Sequence, residues 1–351
     1  MSPHARAHSF AAMIERNEQA NWLIGGRGPG KTTIDSVNAG SRQGKRTASA
    51  QPPEIAVRGE TGLARALDGH RLDREQKARE PRIGEELTVG QAFATTVQEC
   101  VRHFRFNQPL IIAERDPEAL HQARVALRRL RTAFALFRPV IHRGSLTELK
   151  SELRHFLRPF GTARNLDVFL ASHGEDLGWS DRRKLDTARS ESYRQVVEAL
   201  KSQRTREMMV DLVAWTVSGD WQKAGAGCPI GKFAARRLDR AWKKVRAGGS
   251  HLHDLEEKQL HRLRIDIKEL RYSVEFLAPL YRTKKVGKFA ASLEAMQECL
   301  GLIHDDMVSR QIMADHDLAP AKPFDVATCS PQLKELGKRF RRLKKRGPYW
   351  R

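Results

Sequence analysis

The sequence predicts an all-α protein built from two copies of one helical unit. Three observations lead there. Beyond about residue 85, apolar residues recur at the spacing of an amphipathic helix. No segment shows the alternation of period two that a half-buried strand requires. A histidine-headed basic pattern also occurs twice, as HQARVALRRLR from His121 to Arg131 and as HRLRIDIKELR from His261 to Arg271. The copies lie 140 residues apart, and the offset persists downstream, where Gly161 falls on Gly301 and Val168 on Val308. A register kept without net insertion over that length points to a duplicated unit.

The elements follow in order. From Met1 to about Pro81 the chain is rich in Gly, Ser, Pro, Gln and Arg and too poor in apolar residues to sustain a helical period, so residues 1–84 read as a largely disordered basic region. Residues 85–351 form the helical body, with repeat one at about 85–218 and repeat two at about 230–351. Order begins near Thr88, and Phe93, Val97, Val101 and Phe104 mark a first helix. Asp116 supplies an N-cap and Pro117 the first helical position of the next, which Pro139 stops. Leu146 to His173 reads as one helix or a broken pair, with a kink expected at Pro159 and Gly161. Helices at Asp181–Lys201 and Glu207–Val217 complete the first unit, and the glycine-rich stretch from Gly219 to Gly231 connects it to the second. The plan then recurs: a helix from about Lys232 to Arg246, the second patterned helix ending near Pro279, a helix through Gly301 to Asp315, and a basic helix from about Gln332 carrying Leu336, Phe340 and Leu343.

The repeated pattern holds the candidate site. At about 100° per residue, relative positions 0, 3, 7 and 10 fall within an arc of roughly 80°. His121, Arg124, Arg128 and Arg131 thus form one stripe, and His261, Arg264, Lys268 and Arg271 the other. Leu127, Leu130, Phe134 and Phe137 in the first copy, and Leu263, Ile267, Leu270, Val274 and Leu277 in the second, supply a separate core face. Like charges at i,i+3 and i,i+4 repel and gain nothing locally, and a bound anion reverses that sign. The net charge agrees: of +21 overall, residues 85–351 carry +16, from 49 Lys and Arg against 33 Asp and Glu. The expected partner is an anion, and composition by itself leaves DNA, RNA, a lipid surface and a phosphate polymer all open. Arg158 and Arg164 are further candidates for the anion surface. A salt bridge from Arg164 to Asp167 at i,i+3 is the competing reading.

Other chemistries fit less well. Each patterned histidine sits among three cations that repel a divalent metal, and neighbouring His304, Asp305 and Asp306 diverge on a helix, which suits interhelical pairing better than chelation. Gly25 to Thr32, GGRGPGKT, satisfies the phosphate-loop expression but lacks a buried strand before it and a helix after it, so it reads as a chance match. No catalytic residue, metal or cofactor is expected, and a triphosphate hydrolase ranks last for want of an acidic cluster to hold magnesium. Cys100, Cys228, Cys299 and Cys329 show no metal or disulfide spacing and fit reduced thiols in the cytoplasm. With no apolar leader and no run near the roughly 18 residues of a membrane span, a membrane partner is not expected.

The segments H121QARVALRRLRTAF, L157RPFGTARNLDVF, H261RLRIDIKELRYSVEF, L300GLIHDD and the terminal PYW resemble the CHAD domain, the conserved-histidine α-helical domain, over about residues 85–351. Asn165 stands where that family often has Asp. The resemblance implies two helical bundles related by a pseudo-two-fold axis, with the patterned helices lining a basic central cavity. It also implies binding of inorganic polyphosphate, association with polyphosphate granules, and contact through His121, Arg124, Arg128, Arg131, His261, Arg264, Lys268 and Arg271. Many relatives carry an N-terminal CYTH barrel with an ExExK strand. No ExExK occurs here, so triphosphatase activity is not transferred. A nucleic-acid-binding basic helical protein is the alternative, supported by charge and by the basic C-terminal helix.

Overall fold

The computed structural model describes residues 74–141, 143–219, 228–250, 252, 255–281, 283–318 and 329–351. The phosphate-loop-like Gly25 to Thr32, the rest of the N-terminal region through residue 73, and residues 220–227 of the expected connection lie outside them. Nine α-helices occur among the described residues: α1 Val89–Glu114, α2 Pro117–Leu136, α3 Arg143–His173, α4 Trp179–Lys201, α5 Gln203–Ser218, α6 Ile230–Gly248, α7 Glu257–Leu277, α8 Lys284–Asp315 and α9 Ser330–Arg346. The only β-contact among them is an isolated bridge between Thr88 and Pro229, so the all-α expectation holds.

The start and stop signals act as the residues dictate. Thr88 and Gln91 close a capping box on α1, each side chain taking a backbone N–H of the other. The Asp116 carboxylate accepts from the Ala119 N–H at the head of α2, with Pro117 in the first turn. Pro139 and Pro279 turn the ends of α2 and α7 into short 3₁₀ segments, Arg138–Val140 and Ala278–Leu280. α3 takes the first of its two expected forms, one helix running through Pro159 and Gly161. Leu153, Phe156, Phe160, Ala163 and Leu166 are buried on both sides of the proline. Keeping that one apolar stripe docked outweighs the ~3 kcal/mol that an interior proline costs a helix.

The duplication is visible in how the helices meet. α2 packs on α7, α3 touches α8, and α1 touches α6, so three helices of the first unit each meet their own counterpart in the second. That pattern is what a two-fold relation between the units produces. Within the first bundle Phe93 packs its ring against Phe134, Phe137 and Trp215 at centroid distances of 6.1, 5.5 and 5.5 Å. In the second, Phe289 takes the edges of Trp242, Tyr349 and Trp350 at 5.7, 5.6 and 5.2 Å. The terminal PYW thus belongs to the core, and the Trp350 indole donates to Asp239 Oδ1 at 3.0 Å.

The bundles are also joined by a polar bond. Arg129 of α2 pairs with Glu275 of α7, its guanidinium 4.8 Å from the Phe276 ring centroid and 5.9 Å from that of Tyr272. Arg129 also donates to the Arg79 carbonyl at 3.2 Å, and Gln76 and Asn107 exchange hydrogen bonds of 3.0 and 2.9 Å. Part of the region expected to lack order, residues 74–84, is therefore tied to α1 and α2 through its backbone.

Candidate anion-binding cleft

Between α2, α3 and α7 lies a cleft of about 630 Å³. Its cations come from both units: Arg124, Arg128 and Arg131 on α2, His261, Arg264 and Lys268 on α7, and Arg154 on α3. Helical periodicity turns these side chains to one side while Leu127 and Leu130, and Leu263, Ile267 and Leu270, are buried on the other. Packing α2 on α7 then brings the two stripes face to face. Among the described residues, Arg124, Arg128, Arg131, Arg264 and Lys268 form no ion pair.

Burial raises the stakes of that crowding. Lys268 is 9% exposed, and burial together with Arg128 and Arg264 pulls its pKa down from 10.5 to about 6. Arg124 and Arg264 are each drawn to about 10, first by burial and then by neighbouring arginines, Arg128 foremost. The Arg264 Nε is buried with no hydrogen-bond partner. The carboxylate that acts on this group is Asp305 of α8, which favours the charged forms of Arg264 and Lys268. Glu269 also lines the cleft, held by Lys244 at 3.1 Å.

The histidines sit at matched ends of the stripes. Burial and Arg164 hold His121 down at about 4. His261 is exposed, with its ring centroid 6.0 Å from that of His304. The 140-residue offset explains the parallel: Arg164 and His304 are repeat-mates, so each patterned histidine faces the same position of the following long helix. Asn165 and Asp305 are likewise repeat-mates. The carboxylate that acts on the cleft cations therefore comes from the second unit, and the matched position of the first carries an amide without charge.

The structure does not gather every expected residue. Arg271 turns away to Glu275 at 2.6 Å and Gln297 at 2.9 Å, stacked on Tyr272. Arg158 lies in a separate depression with Glu152, His155 and Arg204. Arg164 does not pair with Asp167, because Arg189 at 2.6 Å and the Tyr193 hydroxyl at 2.8 Å occupy that carboxylate. Instead Arg164 bonds the Pro117 carbonyl at 3.5 Å and stays within electrostatic reach of His121 and Arg124. Asp305 forms no ion pair among the described residues and acts on Arg264 and Lys268 through its charge alone, whereas Asp306 pairs along its own helix with Arg310 at 3.1 Å. Arg154 was not legible from the repeat, since its counterpart is Glu294.

Gly161 and Gly301 occupy matched positions but different surroundings. A Cβ on Gly161 meets Arg124 Nη1 at 3.2 Å, while one on Gly301 meets nothing within 4 Å. Replacing either with alanine is expected to raise helix stability by about 0.5–1 kcal/mol. Only Gly161→Ala should also weaken anion binding, by roughly two- to fivefold, because the Arg124 guanidinium must shift by a few tenths of an ångström. Thermal melts and titrations of the two variants check both halves; equal affinities would remove Arg124 from the site.

The profile of the CHAD domain family matches residues 95–314, more than half of the sequence. The chain belongs to the CHAD domain family. Its fold is similar to the crystal structure of the CHAD domain from the plant Ricinus communis, with a TM-score of 0.63 and 24% identity over 79% of this chain and 94% of that one. PptA from Streptomyces chartreusis aligns over 74% of this chain and 96% of its own, at a TM-score of 0.48 and 15% identity. No curated protein matches the sequence significantly. CHAD is a binding domain, and in this member the patterned helices form the walls of the cleft. Among the described residues of this CHAD protein, no helix is long and apolar enough to cross a membrane.

Proposed function

We propose that the protein binds inorganic polyphosphate in the cleft between the two patterned helices, without catalysis, cofactor or metal. The observation that carries this reading is the meeting of buried, mutually repelling cations from both units around one groove. Such a group is strained until an anion arrives, and an anion with repeated charge relieves several members together. Arg124, Arg128 and Arg264 can each present two N–H donors to phosphate oxygens, and Lys268 adds a compact charge. His121 and His261 stand at the ends of the stripes as further donors, with Arg164 near His121.

The shape favours a thin, flexible polymer. Lys268 is reached only from inside the cleft, so its partner must enter. Duplex DNA is a stiff rod with a persistence length of about 50 nm and holds its phosphates on an outer surface. A polyphosphate-bound protein would reside in the cytoplasm at polyphosphate granules. The nucleic-acid reading rests on the net charge of +21 and on exposed cations of α9.

A titration at matched salt against long-chain polyphosphate and duplex DNA, each competing with the other, separates the two. Polyphosphate is expected to displace DNA while DNA fails to displace polyphosphate. Equal mutual displacement would assign binding to overall charge and set the cleft aside.

A further inference from the structure

A second group of cations lies outside the cleft. Arg240, Lys243 and Arg246 of α6 and Lys344 of α9 line a groove of about 660 Å³, together with Arg351. Its carboxylate, Asp239, is already occupied: Arg351 bonds it at 2.9 and 3.0 Å and the Trp350 indole at 3.0 Å. Among the described residues, Arg240, Lys243, Arg246 and Lys344 form no ion pair.

Two features define what the groove can take. Trp242 and Phe340 line it but are only 3% and 6% exposed, so no ring face is open for a nucleobase to stack on. What remains is charge and N–H donors, which recognise phosphates. The groove is also linked to the cleft. Arg237, on the same helix, donates to the Ala135 carbonyl at 2.6 Å, and Ala135 lines the cleft. The Arg237 guanidinium lies within electrostatic reach of Arg240 and Arg138, and its Nε is buried with no hydrogen-bond partner. Arg237 therefore stands between the cleft wall at Ala135 and the groove at Arg240, with Glu269 of the cleft also within its electrostatic reach.

We propose that the groove between α6 and α9 is a second phosphate-chain site, joined to the cleft through Arg237, which takes the part of a long polyphosphate that the cleft does not hold. The inference rests on the polyphosphate reading of the cleft. It makes affinity depend on chain length, since a short chain satisfies the cleft and leaves the groove empty. It also gives the second unit a surface that the first does not duplicate, because the repeat-mates of Arg240 and Lys243 are Cys100 and His103, both buried.

The test uses the full chain and its Arg240→Gln/Lys243→Gln/Lys344→Gln variant, with tripolyphosphate, long-chain polyphosphate and duplex DNA as probes. The three side chains are exposed, and circular dichroism checks that the fold is kept. The variant should bind tripolyphosphate within about twofold of wild type and long chains about tenfold more weakly. Its dependence of log affinity on log salt should flatten by about 1 for each phosphate that the variant leaves unneutralised. Unchanged long-chain affinity, or an equal loss for both chain lengths, overturns the second site. Loss of DNA binding with polyphosphate affinity intact overturns it too and gives the groove to nucleic acid. A wild type that binds neither phosphate defeats the cleft reading itself.

Discussion

Lys268→Met is expected to stabilise the ligand-free protein while weakening polyphosphate binding by roughly 10- to 100-fold at pH 6. Lys268 is buried beside Arg124, Arg128 and Arg264, with Asp305 as the opposing charge. An apolar side chain of similar length removes the cost of placing an ammonium there, and such replacements gain about 1–4 kcal/mol. The same change deletes a charged donor worth about 1.5–3 kcal/mol to a bound anion. Stability and function therefore move in opposite directions, which a merely structural lysine would not produce.

The pH dependence follows from the same residue. The native pKa of Lys268 is lowered to about 6, while the unfolded chain keeps its proton to about 10.4. Between those values the unfolded state binds more protons, so this residue makes ligand-free stability rise with pH across that window. Binding reverses the balance, since a phosphate raises the pKa of Lys268 and a proton is taken up. Wild-type affinity for long chains, whose few end groups contribute little, should fall as pH goes from 6 to 8, by up to about tenfold per unit. Lys268→Met should show a shallower pH dependence than wild type over that range. His121 and His304, held at about 4 and about 3, are already neutral there in the free protein. Urea titrations and binding isotherms at three pH values decide the matter: a destabilised variant or a pH-independent wild type would remove Lys268 from the binding mechanism. The paired change Arg128→Ala/Lys268→Ala should weaken polyphosphate binding more than either change alone and leave helicity intact.

Arg129→Ala is expected to cost about 3 kcal/mol of stability. Arg129 stands beside Arg128 in the sequence but on another side of α2. There it is 5% exposed and bonded across the pseudo-two-fold to Glu275. Truncation leaves that carboxylate, 23% exposed, with Arg271 as its remaining partner and strips the Phe276 ring of its stacked guanidinium. Glu275→Gln, which keeps a hydrogen bond, should cost less. A urea midpoint for Arg129→Ala within ~1 kcal/mol of wild type would show that the interface is held by its apolar packing alone.

The repeat made most of the cleft legible. His121, Arg124, Arg128 and Arg131 and their mates recur at matched helical spacing, and period alone separates a charged face from a core face. Arg154 and Arg158 have Glu294 and Glu298 as counterparts, so repetition says nothing about them, and only Arg154 reaches the cleft. The fate of Arg271 was hidden for another reason. Its spacing equals that of Arg131, yet Glu275 follows one turn later and captures it, whereas Ala135 stands at the matched position in the first unit.

What the sequence determined by itself is local: helix ends at Thr88 and Asp116, the two stripes, and the duplication that carries them. These depend on hydrogen bonds and periodicities within a few turns of one helix. What the tertiary structure decided is which charges share a dielectric environment. Docking α2 on α7 buries Lys268 and pairs Arg129 with Glu275, packing α3 on α2 lays Arg124 against Gly161, and packing α8 on α7 brings Asp305 within electrostatic reach of Arg264 and Lys268. The energy of a charge depends on its burial and on neighbours within a few ångströms, and for these residues those neighbours are more than a hundred positions away or on another helix.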